Sequence, residues 1–223
     1  MPRTLRADEP GFVYHVLNRG NGRARLFHKD ADYAAFERVL AEGLERYPVD
    51  LLTYCLMGNH WHLVLAPRKA GAMGRLMGWV GVTHVRRHHE HYHTRGGGHL
   101  YQGRFKSFPI EEDLHLLHVC RYVEANALRA GMVERAEDWP WNGMYARRHR
   151  GKDLPLSPWP IDRPGNWTEL VNTPIAKEDL EAMRKAHVNR GRPYGSREWI
   201  ERVADKMGLI STLRQVGRPR IQK

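Results

Sequence analysis

Apolar residues recur along the chain with two different periods, and the switches between them predict the elements. Residues 12–18 (FVYHVLN) are β-branched and aromatic and run into Arg19-Gly20-Asn21-Gly22, as a strand ending in a turn would. From Asp30, a candidate helix cap, the period lengthens. Tyr33, Phe36, Val39, Leu40, Leu44 and Tyr47 recur at helical spacing as far as Pro48. Two strands follow at 49–57 and 60–66, with Gly58-Asn59 between them as a two-residue hairpin turn. A second helix is expected from about Ala72 to His89, carrying Met73, Leu76, Met77, Val80 and His84 on one side. After the loop HHEHYHTRGGGH, residues 103–110 (GRFKSFPI) alternate as a half-exposed strand does, Arg104 and Lys106 on one face and Phe105 and Phe108 on the other. A third helix is expected from Glu111 or Glu112 to about Ala130, acidic in its first turn and followed by Gly131.

The order β-α-β-β-α-β-α is that of a split βαβ arrangement. It predicts an α+β fold of the ferredoxin-like or RRM-like kind, an antiparallel sheet with helices on one face, plus a small helical C-terminal extension. The expected organisation is a main domain over 1–150, a Pro/Trp-rich linker wrapped on its surface over 151–172, a helical extension over 173–213 and a basic tail over 214–223. Within the extension, helices are expected at Pro174 to His187 and Ser196 to Met207.

Charge narrows the partner. The chain has 36 Lys and Arg against 25 Asp and Glu, a net charge of +11, which suits a polyanion and nucleic acid first. An uninterrupted apolar run of ~18 residues is absent, as is a charged-then-apolar leader pattern, so the expected location is the cytoplasm. Cys55 and Cys120 lie in apolar runs without C-x-x-C spacing, which argues against a disulfide framework or a cysteine zinc site and for two buried thiols.

Candidate chemistry sits on the second hairpin strand and the third helix. In a strand alternate side chains share a face, so His60 and His62 point together while Trp61, Leu63 and Leu65 point the other way. Spacing alone fits equally a metal-binding pair and two hydrogen-bonded sheet histidines. Tyr122 and Asn126 lie one helical turn apart, offering a phenol nucleophile and a neutral oxygen ligand; a core tyrosine with its hydroxyl at the edge is the plainer reading. His118 lies one turn earlier. His84 and His88 are separated by Val85, Arg86 and Arg87 rather than by the E-x-x of an H-E-x-x-H pair, and the histidines from His84 to His99 stand among arginines, which disfavours zinc. Arg19, Arg23, Arg25, Arg104 and Lys106 suit phosphate contacts, and the two Gly-Arg-Pro stretches at Arg190-Arg192 and Arg218-Arg220 suit a narrow minor groove.

In combination, YHVLNRG at Tyr14, MGNHWHLVL around His60, LYQGRFKSFPI at Leu100 and RYVEANALRAGMV at Arg121 resemble the single-tyrosine HUH transposases, specifically the REP-associated tyrosine transposases. The resemblance covers residues 10 to 150, and the C-terminal extension is similar too. It implies His60, His62 and Asn126 as holders of a divalent ion, Mg²⁺ or Mn²⁺, and Tyr122 as the nucleophile that cleaves single-stranded DNA through a 5′-phosphotyrosine link. It also implies a substrate of REP-type hairpins, with a monomer favoured and a homodimer as the alternative. The chain departs from the family at Gly58 and at Ala127, where proline is common. Two rivals stand beside this reading: a non-catalytic RRM-like binder of single strands, which needs stacking aromatics on an open sheet face, and a metal-dependent nuclease in which water attacks.

Overall fold

Gly58 and Asn59 close a hairpin in which Met57 pairs with His60, and this register fixes which side chains share a face of the sheet. The computed structural model describes residues 7–149, 154–188 and 191–214. Strands β1 (Val13–Arg19), β2 (Val49–Met57), β3 (His60–Pro67) and β4 (Lys106–Ile110) pair antiparallel in the order β2-β3-β1-β4. Helix α1 (Asp30–Arg46) joins β1 to β2, α2 (Ala72–His91) joins β3 to β4, and α3 (Leu114–Glu124) follows β4. The chain order is therefore the one its hydrophobic periods predict.

The helices, expected on one face, occupy both. Tyr14, Val16, Leu56, Trp61, Leu63 and Leu65 form one core with α1 and α2 through Phe36, Leu40, Met73, Leu76 and Val80. Val13, Val64, Phe108 and Ile110 form a second with Leu116, Val119, Cys120 and Val123 of α3. The cause is the near-continuous apolar character of β2 and β3, since a strand with large apolar side chains pointing both ways must be covered on both sides. A bulge between Leu51 and Thr53 sets the faces locally: Leu51 joins the first core and Leu52 the second. Phe105 and Phe108, three residues apart, also go to opposite cores rather than sharing a face. Trp61 is fully buried, and its indole N–H donates to the Tyr101 hydroxyl at 3.1 Å, which hydrogen-bonds His84 Nδ1 at 2.7 Å. That chain ties β3 to α2, and truncating Trp61 would cost about 3–5 kcal/mol.

Both sheet edges are covered by later chain. Along β2, Leu56 N–H donates to the Trp141 carbonyl at 2.9 Å, Ser157 N–H to the Leu51 carbonyl at 2.8 Å, and the Trp159 indole to the Leu52 carbonyl at 3.0 Å. Along β4, Tyr194 N–H donates to Pro109 and Glu111 N–H to Tyr194, each at 2.9 Å. Among the described residues, these contacts interrupt the row of free donors and acceptors along both edges.

The third helix is shorter than its periodicity suggests. It ends at Glu124, Ala125 sits at φ −79° and ψ 0°, and a single turn, α4 (Asn126–Arg129), follows. The Asn126 amide donates to the carbonyls of Tyr122 and Val123 at 3.0 and 3.2 Å, competing with the backbone ladder. The Ala127 amide turns to the Cys55 thiol instead. The interruption thus forms with alanine at position 127 and needs no proline. Helices α5 (Gly143–Arg148), α6 (Trp167–Asn172), α7 (Lys177–Val188) and α8 (Arg197–Lys206) complete the described chain.

Candidate active site

His60 and His62 stand on the sheet face that α3 covers, their ring centroids 5.1 Å apart. Each ring is held through Nδ1. His60 Nδ1 lies 2.7 Å from Asn59 Oδ1, which can only accept, so Nδ1 carries the proton. Asn59 is oriented in turn by donating its amide to the Arg23 carbonyl at 3.2 Å. His62 Nδ1 lies 2.8 Å from Nε2 of His15, and the two rings stack at 5.0 Å. A cation held by His62 Nε2 requires the proton on Nδ1, with His15 as acceptor. Burial, together with the neighbouring Arg19 charge, pushes the His60 pKa down to about 4, so its imidazole is neutral at physiological pH.

Tyr122 comes from α3 to the same place. Its ring is 5.8 Å from that of His62 and perpendicular to it, and 6.3 Å from that of His15. Asn126, one turn on, is buried; its Nδ2 is engaged with helix carbonyls, which leaves Oδ1 as a neutral oxygen donor. Two imidazoles oriented through Nδ1 and an amide oxygen make a donor set that a divalent cation fits.

His60, His62, Tyr122 and Asn126 line one cleft of about 640 Å³ together with Arg19, Arg104, Lys106 and Arg129. Its charged lining residues are all cationic, which suits a phosphodiester. Three of the five basic residues singled out around the first strand and β4 are thus in the cleft; Arg23 and Arg25 are not. The Arg25 side chain lies beside Gly58 and Tyr33, and the Arg23 carbonyl serves Asn59. His118 is also outside the cleft lining, its ring 6.3 Å from that of His115. Arg192 is described but does not line the cleft, while Arg190, Arg218 and Arg220 fall outside the described residues.

Two contributors were not singled out from the sequence. His15, fully buried, lies in the YHVLN strand, and only the β1-β3 register, with His15 opposite Val64 and Leu17 opposite His62, brings it behind the histidine pair. Arg129 stands 4.8 Å from the Tyr122 ring centroid. It is seven residues on, two turns along the same helical face, a signal that was available in the sequence.

Glu111, Asp113 and His115 bring ligand-type atoms within 4.8 Å of one another, away from this cleft. Their hydrogen bonds are spent on docking. Glu111 accepts from Ser196 N–H at 2.6 Å at the start of α8, and Asp113 caps α3 through His115 N–H at 2.7 Å. Among the described residues α1, α2 and α3 pack on the two faces of the sheet, where a single-strand binder of RRM type would need one face open.

Comparison with known proteins bears on the fold and the family. A REP-associated tyrosine transposase of Haemophilus influenzae is 22% identical over 142 residues, 59% of this chain and 76% of that protein. A solved structure of a REP-associated tyrosine transposase bound to a REP hairpin superposes with a TM-score of 0.56 at 16% identity, covering 79% of this chain and 96% of the other, and establishes the shared fold. A Deinococcus radiodurans transposase structure covers 56% of this chain and 95% of its own at 15% identity, with a TM-score of 0.39. The family described as "Transposase IS200 like" matches residues 10–126, just over half of the 223 residues. A chain with that match and this fold belongs to the IS200-like transposase family, whose members are enzymes acting on DNA.

Proposed function

We propose that this protein cleaves and rejoins single-stranded DNA at the foot of a REP-type hairpin, with Tyr122 as the nucleophile. The observation that carries the proposal is the meeting of Tyr122, His60, His62 and Asn126 in one cleft whose other charged residues are Arg19, Arg104, Lys106 and Arg129. In this reading the Tyr122 oxygen bonds to phosphorus as the P–O3′ bond breaks, leaving a 5′-phosphotyrosine and a free 3′-hydroxyl that takes up a proton. Attack by a 3′-hydroxyl on the phosphotyrosine restores a phosphodiester and frees the tyrosine, so no nucleotide triphosphate is consumed. His60, His62 and Asn126 would hold a divalent cation, Mg²⁺ or Mn²⁺, which when bound polarises the phosphoryl oxygen and balances charge. The arginines and Lys106 position the backbone, and Arg129 offsets negative charge beside the phenol.

All four side chains come from one chain, with Tyr122 against its own His62, which supports a monomer as the working unit. The hairpin substrate rests on the relatives, one of which was solved bound to a REP hairpin. The water-attack alternative is separated by a single test. A 3′-labelled hairpin oligonucleotide incubated with the protein and Mn²⁺ leaves label on the protein in denaturing electrophoresis if Tyr122 attacks. Tyr122→Phe removes that band and should keep the fold; cleavage without a labelled protein band would establish attack by water.

A further inference from the structure

We infer that a second cleft, on the side of α3 away from Tyr122, binds a backbone phosphate of the DNA. The inference rests on the DNA-cleaving function proposed above and adds a separate contact surface to it. Glu124 is two residues beyond Tyr122, so the helix turns its side chain roughly 200° around the axis. There it accepts hydrogen bonds from Thr53 Oγ1 at 2.6 Å and from the Trp167 indole at 2.7 Å. Trp167 forms part of the wall of a cleft of about 590 Å³, shared with Arg135, Arg147, Arg148 and Arg163. No residue lines both this cleft and the catalytic one.

Four guanidinium groups meet one lining carboxylate, Glu137, and that carboxylate is already committed. It holds Arg135 Nε at 2.7 Å and the Asn172 amide at 2.7 Å. Glu124, behind the wall, gives its oxygens to Thr53 and Trp167; it attracts Arg147 and Arg163 through its charge, but among the described residues it hydrogen-bonds neither. Arg147 donates one Nη to the Leu52 carbonyl, and its Nε is buried with no hydrogen-bond acceptor. Arg147 and Arg163 both stand over the Trp159 ring, at 5.6 and 5.9 Å, which holds two cations near each other without neutralising either. A buried guanidinium donor lacking an acceptor is costly unless a ligand supplies one. A tetrahedral oxyanion answers that need, because its oxygens match the planar fork of a guanidinium. On a chain of net charge +11 in a DNA-transposing family, the oxyanion that fits is a DNA phosphate.

Arg148→Ala/Arg163→Ala tests this. Both side chains are exposed and make no hydrogen bond among the described residues, so the fold should be retained. Fluorescence anisotropy of a DNA hairpin with a single-stranded foot is followed across a salt series. The expected result is weaker binding and a log K against log[salt] slope shallower by about 1–2, at roughly 0.9 for each phosphate no longer neutralised. The control Arg38→Ala/Arg46→Ala, on the exposed side of α1, should keep the wild-type slope. Adduct formation on an oligonucleotide too short to reach the second cleft should also be unchanged. Equal affinity and slope in the Arg148/Arg163 variant would overturn the inference while leaving the catalytic proposal standing if the adduct still forms. Loss of calorimetric binding of inorganic phosphate with an unchanged hairpin slope would assign the cleft to free phosphate and overturn it as a DNA contact. A wild-type protein that binds no hairpin would overturn both.

Discussion

At the scale of single residues, the site depends on side chains that would not themselves touch an ion. Asn59 and His15 hold the Nδ1 atoms of His60 and His62, and such partners set ring orientation and tautomer. His15→Ala should therefore weaken Mn²⁺ binding about 10- to 100-fold by titration calorimetry, with His15→Gln recovering part of the loss through its amide oxygen. Equal Mn²⁺ affinity in wild type and His15→Ala would remove His15 from the site. That His60 and His62 share a strand face, and Tyr122 and Asn126 a helix face, was legible in the sequence from strand and helix periods, whereas their joining in one site was implied only by the family resemblance. His15 was not, since its place behind His62 depends on the pairing of β1 with β3, a long-range fact that local periodicity does not carry. Arg23 and Arg25 lie outside the cleft for the related reason that charge density does not specify direction: after β1 the chain turns away, and the Leu26 and Phe27 N–H groups donate to the Gly58 carbonyl.

At the scale of elements, α3 is positioned by its buried side as much as by the tyrosine it presents. Glu124 receives Thr53 and Trp167, linking β2, α3 and α6 through one carboxylate. Glu124→Ala would leave a buried hydroxyl and a buried indole N–H without acceptors, a loss of about 2–4 kcal/mol in urea unfolding. Gly143 belongs to the same contact, because an added Cβ would collide with Thr53 Oγ1. Gly143→Ala should cost about 1–3 kcal/mol, and an unchanged unfolding midpoint would show that the contact has slack. The main strands and helices could be read from the sequence with small errors at their ends. The break at Ala125 could not, because it is fixed by Asn126 capping its own helix carbonyls and by the Cys55 thiol meeting Ala127, neither of which alters the apolar period.

At the scale of the whole molecule, two buried histidines make stability depend on acid. Burial pushes the His60 pKa down to about 4, helped by Arg19, and that of His84 to about 3, helped by His88, both from 6.5. The unfolded chain therefore binds more protons than the folded one between about 3 and 6.5, and stability falls as pH drops through that window. Asp8, Glu112 and Glu124, whose pKa values burial raises, act in the opposite sense. They stand against His88, whose pKa burial lowers with the two rings above, and Asp32, Glu42 and Glu137, whose pKa values hydrogen bonds and cations lower. Urea midpoints should be lower at pH 5 than at pH 7.5, and a midpoint that rises on acidification would contradict the assignment of both rings as neutral in the folded state. Among the described residues no helix is long and apolar enough to cross a membrane. The covering of both sheet faces, against the expectation of one, follows from side chains that alternate apolar to apolar in β2 and β3, a pattern present in the sequence but easily taken for ordinary core strands.

Covalent joining of Tyr122 to DNA is the step on which the proposed mechanism stands, and mass spectrometry reads it out at the residue itself. The protein is incubated with a hairpin oligonucleotide and Mn²⁺, treated with nuclease, and digested with trypsin, which cuts after Arg121 and Arg129. The expected product is a nucleotide mass on the peptide spanning Tyr122 to Arg129, fragmenting to place it on the tyrosine. Cleaved DNA with that peptide unmodified, or a nucleotide on any other residue, would contradict the mechanism.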